Sequence, residues 1–475
     1  MLSAVVRVLY GELPHEKLVQ ASFFSALLCF VVGIYWMMRS LKDSVFATVV
    51  GLEYQPMAKM LSLVVVTVML FLYNKLVDVI PRHELFKVIC GGYSAIFLCT
   101  AVMLKSTTYG LYGPDDLALP ASPMRLLGWV HYFAIESYGS LVVSLFWQYT
   151  NSQVALKEAK AQYGLIVAGG QVGAISGCTL VVSSKKLGVA ELYGAGGLLT
   201  LVSPVIVYFY LRRFPPSLAA SGSSSSGGAS AKRVAPGLFE GLRLLFKHPY
   251  VLGIFAVSAL FEIIATILDY QMKVLGKAAH SSTADFASFM GLFGQATNSV
   301  SLVFSVVGTS FVIRSLGLRY TLMLFPVALM AVVCVVYYSP SMWVLFWVMV
   351  TIKGLSYALN NPSKEMLYMV TTDSIKFKAK SWIDVFGGRA SKALGSVITN
   401  TFKKPVTALM LYGSLISFGI AAALLLITSA LGRAFERLTA TDQIIGMDAA
   451  DGEETRALTD GEDDKEDEES PLQKN

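Results

Sequence analysis

Charged side chains occur inside long apolar stretches of the chain, where each costs about 2.5–3.5 kcal/mol to place in a lipid environment. Residues in such positions usually face a water-filled cavity or an opposite charge. Two basic pairs have a spacing of three residues, which puts both members of a pair on one helix face. Since guanidinium and ammonium groups both bind phosphate, the pairs could hold a multiply charged anion. The residues are Arg39 and Lys42, Arg389 and Lys392, with Lys273, Lys353 and the acidic Glu136, Glu262, Asp269 and Asp384.

Each of these groups also has a structural explanation. Arg39 and Lys42 follow an apolar run and could extend to the membrane interface. Glu136 could belong to a purely structural ion pair, Asp269 could be a solvated helix cap, and Asp384 could pair with the cations that follow it. As functional groups, the carboxylates could neutralise the cations in the empty state or exchange protons during turnover.

The composition indicates an all-α membrane protein. Of 475 residues, 55% are hydrophobic and 15% are charged, whereas soluble chains carry about 25% charged residues. Twelve apolar stretches approach the roughly 20 residues that a membrane-crossing helix needs. This composition argues against a soluble enzyme, a disordered protein and a nucleic-acid-binding domain.

No pattern typical of catalysis or metal binding accompanies these stretches. The five histidines are scattered, and the five cysteines lie in apolar runs without CxxC spacing. The glycine-rich run 169–177 lacks the Gly-Lys-Ser/Thr ending of a nucleotide-hydrolysing loop, so helix packing explains it better. We expect no enzymatic activity, no metal and no cofactor.

The twelve stretches divide six and six around a Ser/Gly run at 221–230. A GG-x6-G pattern opens the fifth stretch at Gly169 and recurs in the eleventh at Gly387. If this repeat is not due to chance, the halves are parallel and related by an axis along the membrane normal, which is the major-facilitator-like arrangement. The predicted organisation is an N-terminal segment 1–17, a first six-helix half 18–211, a linker 212–248, a second half 249–432 and a disordered acidic tail 433–475.

The charge distribution predicts an orientation. Asp442–Asn475 contains 13 acidic and 3 basic residues, a net charge of −10, which leaves +16 for the remainder. Lys and Arg are more frequent at the span ends that lie on the side of the termini. By the positive-inside rule, both termini should face the cytoplasmic side. No targeting peptide is evident at the N-terminus.

Several motifs are spread over the apolar body. They are Arg39–Asp43, Glu136–Ser140 with Leu145–Asn151, Asn361–Tyr368, Lys376–Val385 and Ser391–Ser396. Together they resemble the ATP/ADP translocase (nucleotide transporter) family of plastids and obligate intracellular bacteria. This resemblance implies nucleotide exchange across a plastid envelope or a plasma membrane.

The resemblance also implies which residues bind substrate. By motif position, two lysines and two acidic residues carry the function: Lys42, Glu136, Asp269 and Lys392. The acidic residue of the seventh span is Glu in the family and Asp269 here, so Glu262, one helical repeat earlier on the same face, is an alternative acidic site. The spacing of the two basic pairs adds Arg39 and Arg389 as candidates.

The predicted function is ATP/ADP antiport by alternating access. The alternative is a proton-coupled carrier of other nucleotides or of another phosphorylated anion, and a non-transporting receptor that uses the acidic tail is a further possibility. The predicted partners are the nucleotide substrate and the lipid bilayer. We expect no nucleic acid and no stable protein partner.

Overall fold

The architecture consists of twelve successive helical segments, seen in a computed structural model that describes residues 14–113, 117–154, 156–215, 238–307, 309–372, 375–441 and 443–446. Successive segments alternate in direction, and most of the connections between them are short. The segments are α1 His15–Phe46, α2 Gln55–Val79, α3 Arg82–Leu104, α4 Leu126–Gln153, α5 Leu156–Val182, α6 Val189–Thr200 with Val202–Arg213, α7 Pro249–Ala279, α8 Thr283–Val307, α9 Thr309–Tyr338, α10 Met342–Leu367, α11 Ile375–Phe402 and α12 Val406–Ala440.

Length and hydropathy identify a multi-pass membrane protein. Seven helices of the described part are long and apolar enough to cross a bilayer by composition alone. Other segments contain the polar and charged residues of the interior, which lower their hydropathy: α4 carries Glu136, and α11 carries Asp384, Arg389 and Lys392. The chain is therefore an integral membrane protein, as predicted.

Two hydrophobic cores divide the helices. One core is formed almost entirely by residues of α1–α6, and the other almost entirely by residues of α7–α12 and the helix Leu238–Lys247. In the first core α5 packs along α1, and in the second α11 packs along α7. Because the fifth helix packs on the first in both sets, the two six-helix halves have the same internal order.

Glycine permits the close approach of α5 to α1. A side chain at Gly173 would collide with the backbone of Cys29, and one at Gly177 would collide with the backbone of Gly33. In the second half, a side chain at Gly395 of α11 would crowd the Thr266 side chain and the Ile263 carbonyl oxygen of α7. The run 169–177 is therefore a helix-packing stripe, as its sequence predicted.

Three helices are irregular: α9 is broken at Gly317, where φ is 76°, and α10 and α11 contain π-helical turns. α10 has a π-helical turn at Ser356–Asn360, and α11 has π-helical turns at Ile375–Ala379 and Ile383–Gly387. A π-turn inserts one extra residue into the helical repeat and shifts the face that later residues present. Tyr357 of the first turn lines the central cavity described below, and Ile383 and Asp384 of the last line a smaller side pocket.

The helix ends differ from the predicted boundaries. α1 continues to Phe46, so Arg39 and Lys42 lie within the helix rather than at its end. α12 continues to Ala440, beyond the predicted start of the acidic tail at residue 433. The Ser/Gly run 221–230, most of the predicted N-terminal segment and most of the predicted tail lie outside the described residues.

Contacts between the halves concentrate on one face of the molecule, here called the closed face. It comprises the loops 47–54, 183–188, 280–282 and 403–405, and lies opposite the face where α1 begins and α12 ends. Lys404 donates a hydrogen bond to Glu53 and holds the pKa of that carboxyl below its ordinary value, so this pair remains charged at neutral pH. The polar pairs that join the halves here are Glu53–Lys404, Lys185–Asp285, Thr48–Thr283 and Ser184–Ala284.

Candidate functional site

A polar cavity of about 440 Å³ lies between the two halves. Helices α1, α2 and α4 line it from the first half, and α7, α10 and α11 line it from the second. It begins at the ion pairs below the closed face and extends toward the opposite face. All seven predicted site residues line this one cavity: Arg39, Lys42, Glu136, Glu262, Asp269, Arg389 and Lys392.

Glu136 receives cations from both halves. Lys42 donates a hydrogen bond to its carboxylate and lies over the Tyr132 ring, 4.1 Å from the centroid. Arg389 lies 3.9 Å from the same carboxylate and donates to the hydroxyl of Ser140, one turn along α4. Since Lys42 is only 4% exposed, it does not extend to the membrane interface. The charge of Glu136 is thus neutralised by its neighbours in the empty cavity.

A four-residue ion cluster closes the deep end of the cavity. Lys273 of α7 bridges Asp43 of α1 and Asp269 of its own helix, with distances of 2.7 Å to each carboxylate. Lys59 of α2 pairs with Asp269 at 2.9 Å. Gln55 donates a 2.7 Å hydrogen bond to Asp43. Because each carboxylate pairs with a lysine of the other half, the cluster joins the halves beneath the closed face.

Three cavity cations are less completely paired. Lys392 lies 3.8 Å from Glu262, beyond direct hydrogen-bond distance. Arg39 donates a 3.0 Å hydrogen bond to the Tyr35 hydroxyl and lies over the Trp36 ring. Lys353 has no carboxylate of the described residues within 4.0 Å. Arg39, Lys353 and Lys392 are therefore the cations that an incoming anion can reach without displacing a close carboxylate partner.

Asp384 lies apart from the other predicted charges. It lines a smaller side pocket of about 130 Å³ together with Lys353 and Lys364. Lys364 donates a 3.0 Å hydrogen bond to the hydroxyl of Ser258 there. Arg389 pairs with Glu136 instead of Asp384. The structure therefore does not contain the Asp384–Arg389 ion pair that the sequence left open as an alternative.

Four charged residues of the cavity lining, Asp43, Lys59, Lys273 and Lys353, were not among the predicted substrate-binding residues. Lys59 lies near the start of α2 and faces the cavity. Its charge within an apolar span was the signal that could have identified it as a cavity residue. The charges of Asp43, Lys273 and Lys353 could be recognised in the sequence, but the pairing of Asp43 with Lys273 could not, because it joins helices far apart along the chain. Among the described residues, no group of three His, Cys, Asp or Glu side chains could hold a metal ion.

Known proteins are similar to this chain in sequence. The "ADP,ATP carrier protein 3" of Rickettsia typhi is 22% identical over 429 residues, which cover 78% of this chain and 84% of that protein. The chloroplastic "ADP,ATP carrier protein 2" of Arabidopsis thaliana is 26% identical over 414 residues, covering 77% and 66% of the two chains. Both similarities extend over most of the membrane body.

A solved structure supports the fold independently. The nucleoside transporter NupG superposes with a TM-score of 0.58 at 13% identity, covering 86% of this chain and 98% of that one. At this identity the likeness concerns the fold alone. It confirms the predicted class, an all-α membrane protein with two parallel six-helix halves of the major-facilitator type.

The sequence also matches one protein family over nearly the whole membrane body. The match to the family described as "TLC ATP/ADP transporter" runs from residue 13 to residue 435. It includes every helix that lines the charged cavity. The resemblance inferred from the short motifs is thereby confirmed, and the chain belongs to the TLC ATP/ADP transporter family.

Proposed function

We propose that this carrier exchanges ATP for ADP across a membrane by alternating access. Relatives from Rickettsia and Arabidopsis are named as ADP,ATP carriers. A transporter family also agrees with the expectation that the chain is not an enzyme. Under this proposal, the central cavity holds the nucleotide while the halves separate first on one face and then on the other.

The charge of the cavity carries the proposal. Seven cations and four carboxylates line it, so its formal net charge is +3. Nucleotide phosphates are multiply charged anions, and lysine and arginine bind them through charge-assisted hydrogen bonds. The cavity volume of about 440 Å³ lies in the range typical of small-molecule sites, roughly 300–1,000 Å³.

The contacts suggest different roles for the predicted residues. Arg39 and Lys392 have spare binding capacity, and Lys353 joins them as a proposed phosphate-binding residue. Glu136 and Glu262 serve as counterions of the empty state, which the phosphate chain replaces. Lys42 and Arg389 can contact phosphate only after the phosphate displaces the Glu136 carboxylate that they now bind.

Asp269 fits a different task from the predicted one. Its carboxylate is already bound by Lys59 and Lys273, and is 7% exposed. These contacts favour a part in holding the halves together rather than direct contact with substrate. Direct contact of Asp269 with the nucleotide remains a prediction from motif position.

Exchange makes a direct prediction for reconstituted protein. Labelled ATP should enter liposomes preloaded with ADP and should hardly enter empty ones. An obligatory exchanger can reorient its binding site toward the outside only when a nucleotide from inside is bound to it. Uptake that ignores preloading but follows an imposed proton gradient would instead support the proton-coupled alternative. Competition by a phosphorylated sugar, without competition by nucleotides, would exclude a nucleotide carrier.

We also propose that both termini face the cytoplasmic side, since Lys and Arg are more frequent at that side of the spans. A tag added after Asn475 should therefore stay inaccessible to antibody in intact cells that carry the protein in the plasma membrane. It should become accessible after permeabilisation. Labelling of intact cells would reverse the assigned orientation.

The proposal includes the bilayer and the nucleotide as the only partners. It requires no cofactor, no nucleic acid and no stable protein partner.

A further inference from the structure

The cavity has aromatic walls on the side away from the closed face. Tyr35 of α1 and Tyr357 of α10 both line it, one from each half. Tyr357 is 38% exposed, and its hydroxyl has no hydrogen-bond partner among the described residues. Both tyrosines line the same cavity as Arg39, whose guanidinium donates a hydrogen bond to the Tyr35 hydroxyl.

The two tyrosines hold corresponding positions relative to the cations. Helix α1 runs toward the closed face, and Tyr35 precedes Arg39 by four residues. Helix α10 runs away from that face, and Tyr357 follows Lys353 by four residues. Each tyrosine therefore lies about one helical turn, ~5 Å, farther from the closed face than a phosphate-binding cation of its own helix.

The Tyr35 ring is held in place by its surroundings. Its hydroxyl accepts a 3.0 Å hydrogen bond from Arg39. The ring lies against Gly139 of α4, where any side chain would collide with it. Trp36 meets the ring edge-on with centroids 6.2 Å apart. A fixed aromatic surface costs little conformational entropy when a flat ligand stacks on it.

We propose that Tyr35 and Tyr357 form the nucleobase subsite of the cavity. The phosphate chain binds Arg39, Lys353 and Lys392, and the base stacks on the tyrosines nearer the opposite face. A nucleotide entering from that face therefore inserts its phosphates first. This subsite rests on the proposed function, because it assumes that a nucleotide occupies the cavity.

The test compares ATP with inorganic tripolyphosphate, which has the phosphate chain without a base. Both are used to displace labelled ATP from the purified full-length carrier. Tyr357→Ala should weaken ATP binding by about 5- to 150-fold, the usual effect of losing one base–aromatic stack. Tripolyphosphate binding should stay unchanged, which also shows that the variant is folded. Tyr357→Phe should retain ATP affinity, since the ring remains.

Two further variants complete the experiment, one at Tyr35 and one at a tyrosine outside the cavity. Tyr35→Ala should reproduce the selective loss of ATP affinity. Tyr208→Ala is the matched control, because Tyr208 also carries an arginine, Arg212, four residues away with its guanidinium 4.7 Å from the ring centroid, but does not line the cavity. It should affect neither ligand.

The possible results distinguish failure of the base subsite from failure of the proposed nucleotide transport. Unchanged ATP affinity in both alanine variants overturns the base subsite, as does an equal loss for ATP and tripolyphosphate. Wild-type protein that binds tripolyphosphate as tightly as ATP overturns it too, because the base then adds nothing. Wild-type protein that binds neither ligand contradicts the proposed function itself.

Discussion

Replacing Lys353 by glutamine is expected to weaken ATP binding by about 10- to 150-fold, since a hydrogen bond to a charged group contributes about 1.5–3 kcal/mol. Lys353 lies at the junction of the central cavity and the side pocket and has no close carboxylate partner among the described residues. Its removal therefore leaves no buried carboxylate uncompensated. Thermal stability of the empty carrier should remain near that of the wild type.

Tripolyphosphate distinguishes this effect from loss of the base subsite. Lys353→Gln should weaken binding of ATP and of tripolyphosphate alike, because both place a phosphate at the ammonium. Lys392→Gln should behave similarly, although its partner Glu262 is then left with less compensation. Isothermal titration of purified protein measures each affinity directly.

Lys42 and Lys87 provide the comparisons. Lys42→Gln should lower stability as well as affinity, because Arg389 is then the one cation of the described residues that pairs with Glu136. Lys87→Gln, which affects an exposed pair with Glu84 outside the cavity, should change neither quantity measurably. If Lys353→Gln binds ATP as tightly as the wild type, Lys353 does not hold phosphate.

Hydropathy and motifs were sufficient to predict the helical halves and seven of the charged residues that line the cavity. Apolar length depends only on the bilayer thickness, so the segments can be recognised without tertiary information. The recurring glycine pattern could be interpreted because close helix contact requires small residues, as Gly173 and Gly395 show. All seven predicted site residues line the central cavity.

The pairing of charges could not be predicted in the same way. Asp43 and Lys273 are separated by most of the first half and the linker, and their contact depends on how the two halves dock. A spacing rule also assumes regular helix. The π-turn Ile383–Gly387 breaks that assumption between Asp384 and Arg389, and the two side chains line different pockets.

The ion cluster below the closed face should control which face is open. Asp43→Asn removes one carboxylate and leaves Lys273 with Asp269, which it must share with Lys59. Breaking a buried pair in this way costs about 3–5 kcal/mol. When the halves separate on this face, water reaches the cluster and the cost disappears. We therefore expect a shift of about 150- to 5,000-fold toward separation of the closed face.

Spin labels on exposed residues of the two halves measure that shift. Labels at Lys186 and Ser281, which lie in facing loops of the closed face, should move apart in the Asp43→Asn variant. Lys404→Gln is the matched control, because it removes another link between the halves at the same face. That link is solvent-exposed, so its loss should cost no more than about 1 kcal/mol.

The two variants together test burial, not merely charge. If buried ion pairing holds the closed face together, Asp43→Asn must increase the label distance far more than Lys404→Gln does, although each variant removes one link between the halves. Equal label distances in wild type and Asp43→Asn would show that the ion cluster does not hold the face closed, and the packing of α8 against α1 and α5 would be the next contact to test. In that case, Gly291 and Gly294, whose close contacts with α5 permit that packing, become the residues to replace.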